Sequence, residues 1–109
     1  MNSKNPIAVV GMSGLFPGAD TLDLYWQNII NRVDAVREAD ENRWQIDPDI
    51  MVSQGFQTDR AYSKRCCLIP DFNFDPAGFA LDKDLLSALD PLHHMVLHVG
   101  RKATKLASP

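Results

Sequence analysis

The first clear pattern is a short, continuously apolar run near the start of the chain, Pro6-Ile7-Ala8-Val9-Val10-Gly11-Met12. It is partly β-branched and closes around a glycine, which is typical of a strand buried on both faces of a sheet. Such a strand needs a neighbouring strand on each side. The run therefore predicts one buried strand, and no other run in the chain clearly supplies its partners.

A glycine-rich loop over residues 11–18 separates this strand from a predicted helix. Asp20 or Thr21 is placed to cap that helix, because short polar side chains accept hydrogen bonds from the first free backbone amides. Apolar residues then recur at helical spacing: Leu22, Tyr25, Trp26, Ile29, Ile30 and Val33. The predicted strand, loop and helix form the best-defined local unit.

From residue 34 to residue 62 the apolar positions lose their period. Pro48, Gly55 and many Asp, Asn and Gln residues predict a long excursion of turns and short pieces. The compact apolar stretch within residues 63–70 is stopped by Pro70 and predicts a second short strand or hairpin arm.

Two further helices are predicted in the last third of the chain. Asp82 or Lys83 begins a short leucine-rich helix that reaches Leu89. An Asp-Pro pair at 90–91 supplies a cap and a first-turn proline for a last helix over residues 92 to about 105. One convincing strand, one short strand and three helices indicate the α/β class, and they are few for a closed fold.

Composition narrows the function classes. The chain has 109 residues, 45% of them hydrophobic and 23% charged, which is ordinary for one globular domain. Its net charge of −3, with scattered Lys and Arg, argues against a nucleic-acid partner. No apolar run approaches the roughly 18–20 residues that span a membrane, and no signal-peptide pattern is present, so we expect a cytoplasmic protein without a membrane partner.

The glycine loop is the first candidate for chemistry, because a strand, a glycine turn and a helix can hold a pyrophosphate. A dinucleotide site requires Gly-x-Gly-x-x-Gly with the helix starting inside the motif. Here Ser13 occupies the place of the second glycine, and Phe16-Pro17 delay the helix. A structural turn is the preferred interpretation, and a small nucleotide-binding module is a remote alternative.

The histidines are the second candidate. His94 and His98 lie four residues apart on a predicted helix and could share a metal ion, with His93 beside them. No Glu, Asp or Cys at helical spacing completes a ligand set. Packing or exposed histidines are therefore preferred, and a metal-binding module is the weaker alternative.

Cys66 and Cys67 are the only cysteines, and a disulfide between adjacent residues is strained. A nucleophilic role would need a helix amino terminus or the basic neighbours Lys64-Arg65 to lower a thiol pKa. The strand-like context instead favours two free thiols as small buried residues. Further acidic and aromatic candidates are assigned to turns and to packing: Asp47, Asp49, Asp71, Asp75, Phe72, Phe74 and Phe79.

Individually weak, the segments form an informative order: Ile7-Ala8-Val9-Val10-Gly11-Met12-Ser13, Phe16-Pro17-Gly18-Ala19, Tyr25-Trp26, Ile29, Arg43-Trp44, Phe74-Asp75 and Asp90-Pro91. This order resembles the opening of beta-ketoacyl synthase (ketosynthase) domains, which have a strand, a Phe-Pro-Gly loop, a Trp-containing helix, an Arg-Trp pair and an Asp-Pro helix in succession. The resemblance covers residues 6 to about 104.

One stretch looks like the ketosynthases of polyunsaturated fatty acid synthases, where Lys-Arg-Gly-Gly-Phe-Ile-Pro is usual. It is Tyr62-Ser63-Lys64-Arg65, followed after two residues by Leu68-Ile69-Pro70-Asp71-Phe72-Asn73-Phe74-Asp75-Pro76. Cys66-Cys67 stand where the family has Gly-Gly, which questions the hairpin geometry because glycine permits backbone angles that cysteine does not. Leu92-His93-His94 replace the family's Gln-Gln-Arg.

The resemblance implies a thiolase-like fold and a decarboxylative condensation of an acyl group with malonyl on an acyl carrier protein. The family nucleophile lies in a Thr-Ala-Cys-Ser-Ser sequence at a helix amino terminus, and two histidines lie in His-Gly-Thr and Gly-His contexts. None of these sequences occurs in this chain, and its three histidines match neither context. We therefore assign no catalytic, cofactor-binding or metal-ligating residue here.

The resulting hypothesis is the amino-terminal fragment of a ketosynthase of the polyketide or polyunsaturated fatty acid type. Residues 1–5 are expected to form a flexible start, 6–104 the amino-terminal part of the domain, and 105–109 a truncated end. The fragment is expected to be inactive alone and to need the remainder of the domain, a dimer mate and an acyl carrier protein with phosphopantetheine-borne acyl groups. The alternative is a non-enzymatic remnant that pairs with another synthase subunit.

Overall fold

The computed structural model describes residues 4–70 and 72–108, so the first three residues of the expected flexible start, Asp71 and the last residue of the expected truncated end lie outside it. Its elements are, in order, α1 (Leu22–Ile30), β1 (Arg37–Glu38), one 3₁₀ turn (Glu41–Arg43), α2 (Pro48–Met51), β2 (Arg65–Cys66), α3 (Lys83–Ala88) and α4 (Pro91–Ala107). The strands pair antiparallel, with Arg37 opposite Cys66. Helices and strands are mixed, as the predicted class requires.

The strand predicted over residues 6–12 is wrong for this chain. The segment runs without turn or bend, but it pairs with no strand among the described residues. Ile7 is 97% exposed and Val9 79%. The physical reason is that a strand exists only through hydrogen bonds to a neighbour, and β1 and β2, the strands of the described residues, pair only with each other.

The loop after this segment is built around a tight turn. Phe16 and Ala19 exchange two backbone hydrogen bonds of 2.8 and 3.0 Å, and Gly18 has a φ of 72°. Proline at the second position and a positive φ at the third define a type II turn, which only glycine adopts without strain. Asn28 Nδ2 donates to the Gly18 carbonyl at 2.9 Å and fastens the turn to α1. The prediction of a structural turn is confirmed.

Helix α1 begins where the sequence predicts and ends earlier. Thr21 Oγ1 accepts a hydrogen bond from the Leu24 amide at 3.2 Å, so Thr21 is the cap. After Ile30 the chain leaves the helix through Arg32, whose φ is 53°. Val33 therefore lies beyond the helix, and its amide returns to the Asn28 carbonyl at 2.9 Å. This arrangement is a Schellman ending with arginine where glycine is usual.

The excursion over residues 34–62 contains turns and short pieces, as predicted. β2 confirms the predicted second strand, although it is only two residues long. Among the described residues, positive φ angles outside glycine occur at Arg32 and Asp59 and not at the adjacent cysteines. Cys66 thus pairs within β2, and Cys67 follows the strand, without a positive φ at either residue, so the β1–β2 pairing forms without the family's Gly-Gly.

Both later helices confirm their predicted caps. Asp82 Oδ1 accepts hydrogen bonds from the amides at positions 84 and 85 and begins α3. Asp90 Oδ1 accepts from the Leu92 amide at 2.8 Å, and Pro91 is the first residue of α4. A proline is tolerated there because the first helical amide has no partner within the helix.

The packing of the chain is unusually open. Among the described residues the buried apolar side chains are Ala19 and Leu86. The accessible surface is 9241 Å², whereas a compact protein of this mass is expected to expose about 6,100 Å². The radius of gyration is 19.1 Å, against about 13 Å for a compact domain of this length. Apolar surface that a globular domain would bury is therefore uncovered.

Much of this uncovered surface comes from the elements that the sequence predicts to face a core. The large apolar side chains that are at least half exposed include Ile7, Val9, Val10, Trp26, Ile30, Leu85, Leu92 and Val96. Among the described residues, no helix is both long enough and apolar enough to cross a membrane.

The ending of α1 gives a first prediction. Arg32→Gly should stabilise α1 by roughly 0.5–1 kcal/mol, because glycine removes the left-handed strain at a small entropic cost. The measurement is residue-resolved helicity of α1 by NMR as urea is added. Asn31→Gly is the matched control, since Asn31 has a φ of −83° and no strain to relieve. Equal effects of the two substitutions would contradict the prediction.

Candidate functional site

The most elaborate side-chain arrangement lies along one side of α4. His94, His98 and Arg101 are spaced by four and three residues, which places them on the same helical stripe. Each meets one ring of the segment over residues 72–79. The pairs are His94 stacked on Phe74 (centroids 4.6 Å apart), His98 edge-on to Phe72 (4.9 Å), and the Arg101 guanidinium over Phe79 (4.7 Å). We call these six residues the α4 cluster.

His94 also connects α4 to α3. Its Nε2 lies 2.6 Å from the Leu86 carbonyl oxygen. A carbonyl oxygen only accepts, so Nε2 carries the hydrogen and donates it. Leu86 is 1% exposed and is the most deeply buried side chain among the described residues. This one ring therefore fixes the end of α3, the Phe74 ring and the start of α4 against one another.

Arg101 holds the turn at the far end of the segment. Its Nη1 donates to the Ala77 carbonyl at 2.7 Å, while its guanidinium carbon lies over the Phe79 ring. The turn itself has Gly78 at a φ of 84°, and Asp75 Oδ1 accepts from the Ala77 amide at 2.9 Å. The turn role predicted for Asp75 is confirmed.

His98 is the member of the cluster with a shifted pKa. Partial burial against the 72–79 segment lowers the pKa of His98, because desolvation penalises the charged ring. The nearby charges of Lys102 and Arg101 lower the pKa further. Both effects favour the neutral form of the ring at its contact with Phe72.

The two histidines are used for packing, as the preferred interpretation expects. Both rings lie on phenylalanines, and His94 has one nitrogen committed to a carbonyl. In the part of the chain that the structure describes, no three His, Cys, Asp or Glu side chains come together as a metal site. His93 lies exposed outside the cluster.

The cysteines lie apart from the α4 cluster. Cys66 is half-buried in β2, Cys67 is exposed, and both thiols are free. The expectation of two buried residues is therefore wrong for Cys67 and is met only in part by Cys66. The reason is that the two-stranded sheet ends at Cys66, so Cys67 lies beyond the pairing and its side chain reaches solvent.

The acidic residues of the excursion act locally. Asp47 Oδ1 accepts from the Asp49 amide at 2.9 Å and caps α2, which confirms a turn role. Asp49 was predicted to act in a turn, and in the structure its carboxylate also forms an ion pair with Lys64. The hydrogen bond to Asp49 raises the pKa of Lys64. Asp71 lies outside the described residues.

A groove of about 420 Å³ lies between the glycine loop, the start of α1 and the end of α4. Lys102 and Lys105 line it, but so do the carboxylates of Asp20 and Asp23. Carboxylates beside the amino terminus of α1 compete with a phosphate for the same positive end of the helix dipole. The groove therefore does not favour the nucleotide-binding alternative.

Sequence reasoning missed Arg101 and the partner of His94. The spacing of residues 94, 98 and 101 could have predicted the contact, because three planar, delocalised side chains on one helical stripe can pack against an aromatic segment. The Leu86 carbonyl could not have been found, since it is a backbone group brought into place by the packing of α3.

The family of the chain follows from comparison with known proteins. Residues 4–108 match the family model described as Beta-ketoacyl synthase, N-terminal domain. Polyketide synthase PksL of Bacillus subtilis (strain 168) is 32% identical over 104 residues, which cover 92% of this chain and 2% of PksL. Mycoketide-CoA synthase of Mycobacterium tuberculosis (strain ATCC 25618 / H37Rv) is 32% identical over 112 residues, covering 96% and 3%.

The chain also resembles a solved structure, the PfaC Keto synthase-Chain length factor. The TM-score is 0.79 at 35% sequence identity, and the match covers 91% of this chain and 11% of the PfaC chain. The fold is thus the amino-terminal part of the thiolase-like ketosynthase fold. The chain spans a small fraction of the length of each of these three proteins.

Acidification should loosen the contact between Phe72 and α4. Because the folded pKa of His98 is lowered from about 6.5, its contribution to the contact is full above pH 6.5 and is lost as the pH falls through the lowered pKa. The measurement is the pH dependence of Phe72 ring shifts and of its contacts with α4 by NMR.

Two variants control this pH experiment. His98→Phe keeps a ring but removes the titration, so it should remove the acid dependence at Phe72. His93→Phe, on an exposed residue of the same helix, should leave that dependence unchanged. Acid loosening that persists in His98→Phe would show that another group is responsible.

Replacing the guanidinium should loosen the other end of the segment. Arg101→Lys loses the planar contact with Phe79 and is expected to weaken docking of the 76–79 turn by about 1 kcal/mol, or roughly fivefold in its open fraction. Amide hydrogen exchange at Phe79 measures this change. Lys102→Arg is the control, because Lys102 lies on the same helix and lines the groove at the glycine loop rather than the cavity beside Phe79. Unchanged exchange at Phe79 in Arg101→Lys would contradict the assignment.

Proposed function

This chain belongs to the beta-ketoacyl synthase family, and we propose that it supplies the amino-terminal scaffold, residues 6–104, of a domain that performs decarboxylative condensation of acyl and malonyl groups. The observation that carries the proposal is the match over residues 4–108, supported by the TM-score of 0.79 to a ketosynthase structure. The similarity to the PfaC protein favours a polyunsaturated fatty acid or polyketide synthase as its setting.

The proposed reaction takes place on residues that lie outside this chain. An acyl group is held as a thioester on a cysteine, and malonyl arrives on the phosphopantetheine of an acyl carrier protein. Loss of carbon dioxide from malonyl leaves an enolate, whose carbon attacks the acyl carbonyl. The new carbon–carbon bond forms as the carbon–sulfur bond breaks and the cysteine thiolate leaves. Two histidines assist decarboxylation and stabilise the enolate.

The contribution of this chain is structural under this proposal. The α4 cluster fixes α3, the 72–79 segment and α4 as one unit, and the Phe16–Ala19 turn fixes the glycine loop to α1. None of these side chains is a nucleophile or a general base in its observed contacts. We assign to this chain a scaffold, with the rest of the domain, a dimer mate and the carrier protein as its partners in the cytoplasm.

The uncovered apolar surface also favours a second candidate, a non-enzymatic fragment that pairs with another synthase subunit. Both candidates require a polypeptide that covers the exposed faces. They differ in whether the resulting assembly condenses substrates. A pull-down of full-length synthases by this chain, followed by a condensation assay of the captured complex, distinguishes them.

The chain alone should be inactive. Incubated with malonyl and acyl carrier thioesters, the purified protein is expected to release no carbon dioxide and to form no β-ketoacyl product above a blank, because the proposed nucleophile and histidines are supplied elsewhere. A complete ketosynthase in the same assay is the positive control. Product formed by the chain alone would overturn the scaffold assignment.

A further inference from the structure

Two adjacent thiols, Cys66 and Cys67, have no part in the scaffold described so far. Both are free, Cys66 half-buried and Cys67 exposed. They stand where ketosynthases usually have Gly-Gly, so the family fold does not require a thiol at either position. The pair is therefore a feature of this chain, and its chemistry depends on how the backbone directs the two side chains.

Burial alternates from residue to residue around the cysteines. Lys64, Cys66 and Leu68 are half-buried, whereas Arg65 and Cys67 are exposed. A period of two is typical of an extended backbone, in which successive side chains point to opposite faces. The extended path therefore continues past the end of β2, and the two thiols point away from each other although their residues are adjacent.

The pairing with β1 holds the backbone at Cys66 in this extended form. Arg37 lies opposite Cys66, and Glu38 lies opposite Arg65. The Ala39 amide continues the contact by donating to the Lys64 carbonyl at 2.9 Å. Any change that turns the backbone at residues 66–67 must therefore act against these hydrogen bonds.

The extended form prevents a disulfide between the two cysteines. A disulfide needs Cβ atoms about 3.5–4.5 Å apart, with their side chains directed at each other. Adjacent Cα atoms are about 3.8 Å apart, but in an extended backbone the two side chains diverge. An intrachain bond thus requires residues 66–67 to leave the extended form, which costs the pairing of Cys66 with β1.

We propose that Cys67 is a modification site that forms a mixed disulfide with a low-molecular-weight disulfide, and that β1–β2 pairing prevents Cys66 from resolving it. The Cys67 thiolate attacks one sulfur of the small disulfide. A new sulfur–sulfur bond forms as the old one breaks, and the other half leaves as a thiolate. The Cys67 sulfur is oxidised and the leaving sulfur is reduced. The proposal concerns the thiols of this chain and does not depend on the proposed function.

The pairing determines the end product of the reaction. If the Cys66 thiolate attacked the Cys67 sulfur of the adduct, the second half of the small disulfide would leave and an intrachain disulfide would form. With β2 paired, the Cys66 sulfur faces away from the adduct, so the reaction stops at one mixed disulfide. Access also separates the two thiols, because Cys67 is exposed and Cys66 is half-buried.

Mass spectrometry of the reduced chain with oxidised glutathione tests the modification. At about pH 8, where a free cysteine is partly thiolate, we expect one stable glutathione adduct per chain. Peptide mapping should place it on Cys67, with a rate at least about tenfold above that of Cys66. Cys67→Ser should remove the adduct, and the matched control Cys66→Ser should keep it. No adduct, an adduct mainly on Cys66, or an intrachain disulfide would overturn the proposal.

A second measurement tests the role of the pairing. Ala39→Pro removes the donor to the Lys64 carbonyl, so its adduct should convert to an intrachain disulfide with release of glutathione. Gln57→Pro is the control, because Gln57 lies in the exposed 54–60 loop and its amide has no hydrogen bond among the described residues. The unsubstituted chain in increasing urea gives the same readout if Ala39→Pro does not fold. An adduct equally stable with and without β1–β2 pairing would contradict the proposal.

Discussion

The packing of α4 against the 72–79 segment is the interaction on which the second half of the chain depends. One helical stripe contacts three phenylalanine rings, and His94 adds a hydrogen bond to the carbonyl of Leu86, the deepest side chain described. Together these contacts attach α3 and the 72–79 segment to α4. The long last helix thereby becomes a frame on which a loop and a shorter helix are held.

Helix α4 also contacts the amino-terminal part of the chain, at Gly11. Gly11 lies on the Ala103 carbonyl, which brings the unpaired apolar run to the end of α4. The contact is possible because glycine leaves no atom between the two backbones. The opposite faces of the apolar run and of α4 stay exposed. The local geometry is thus fixed while much apolar surface is uncovered, as expected for one part of a larger fold. Membership of the ketosynthase family explains that combination.

The candidate site was only partly predictable. The motif order identified the family. The glycine loop fits a dinucleotide fingerprint poorly, and in the structure it forms a turn with Gly18 at a positive φ. The histidines were correctly assigned to packing, but their partners were not identified. A helical stripe tells which side chains share a direction, whereas the loop that meets them follows an irregular path set by many small contacts.

What the sequence determined by itself is local. The caps of α1, α3 and α4 and the turn in the glycine loop satisfy backbone groups within a few residues. Short patterns therefore predicted the Asp90 cap and a structural turn, and they narrowed the other two helix starts to Asp20 or Thr21 and to Asp82 or Lys83. The tertiary structure decided the β1–β2 pairing, the α4 cluster and the unpaired state of residues 6–12. Those features depend on partners distant in the chain, or absent from its described part, and a strand pattern cannot form a strand until a second backbone offers its hydrogen bonds.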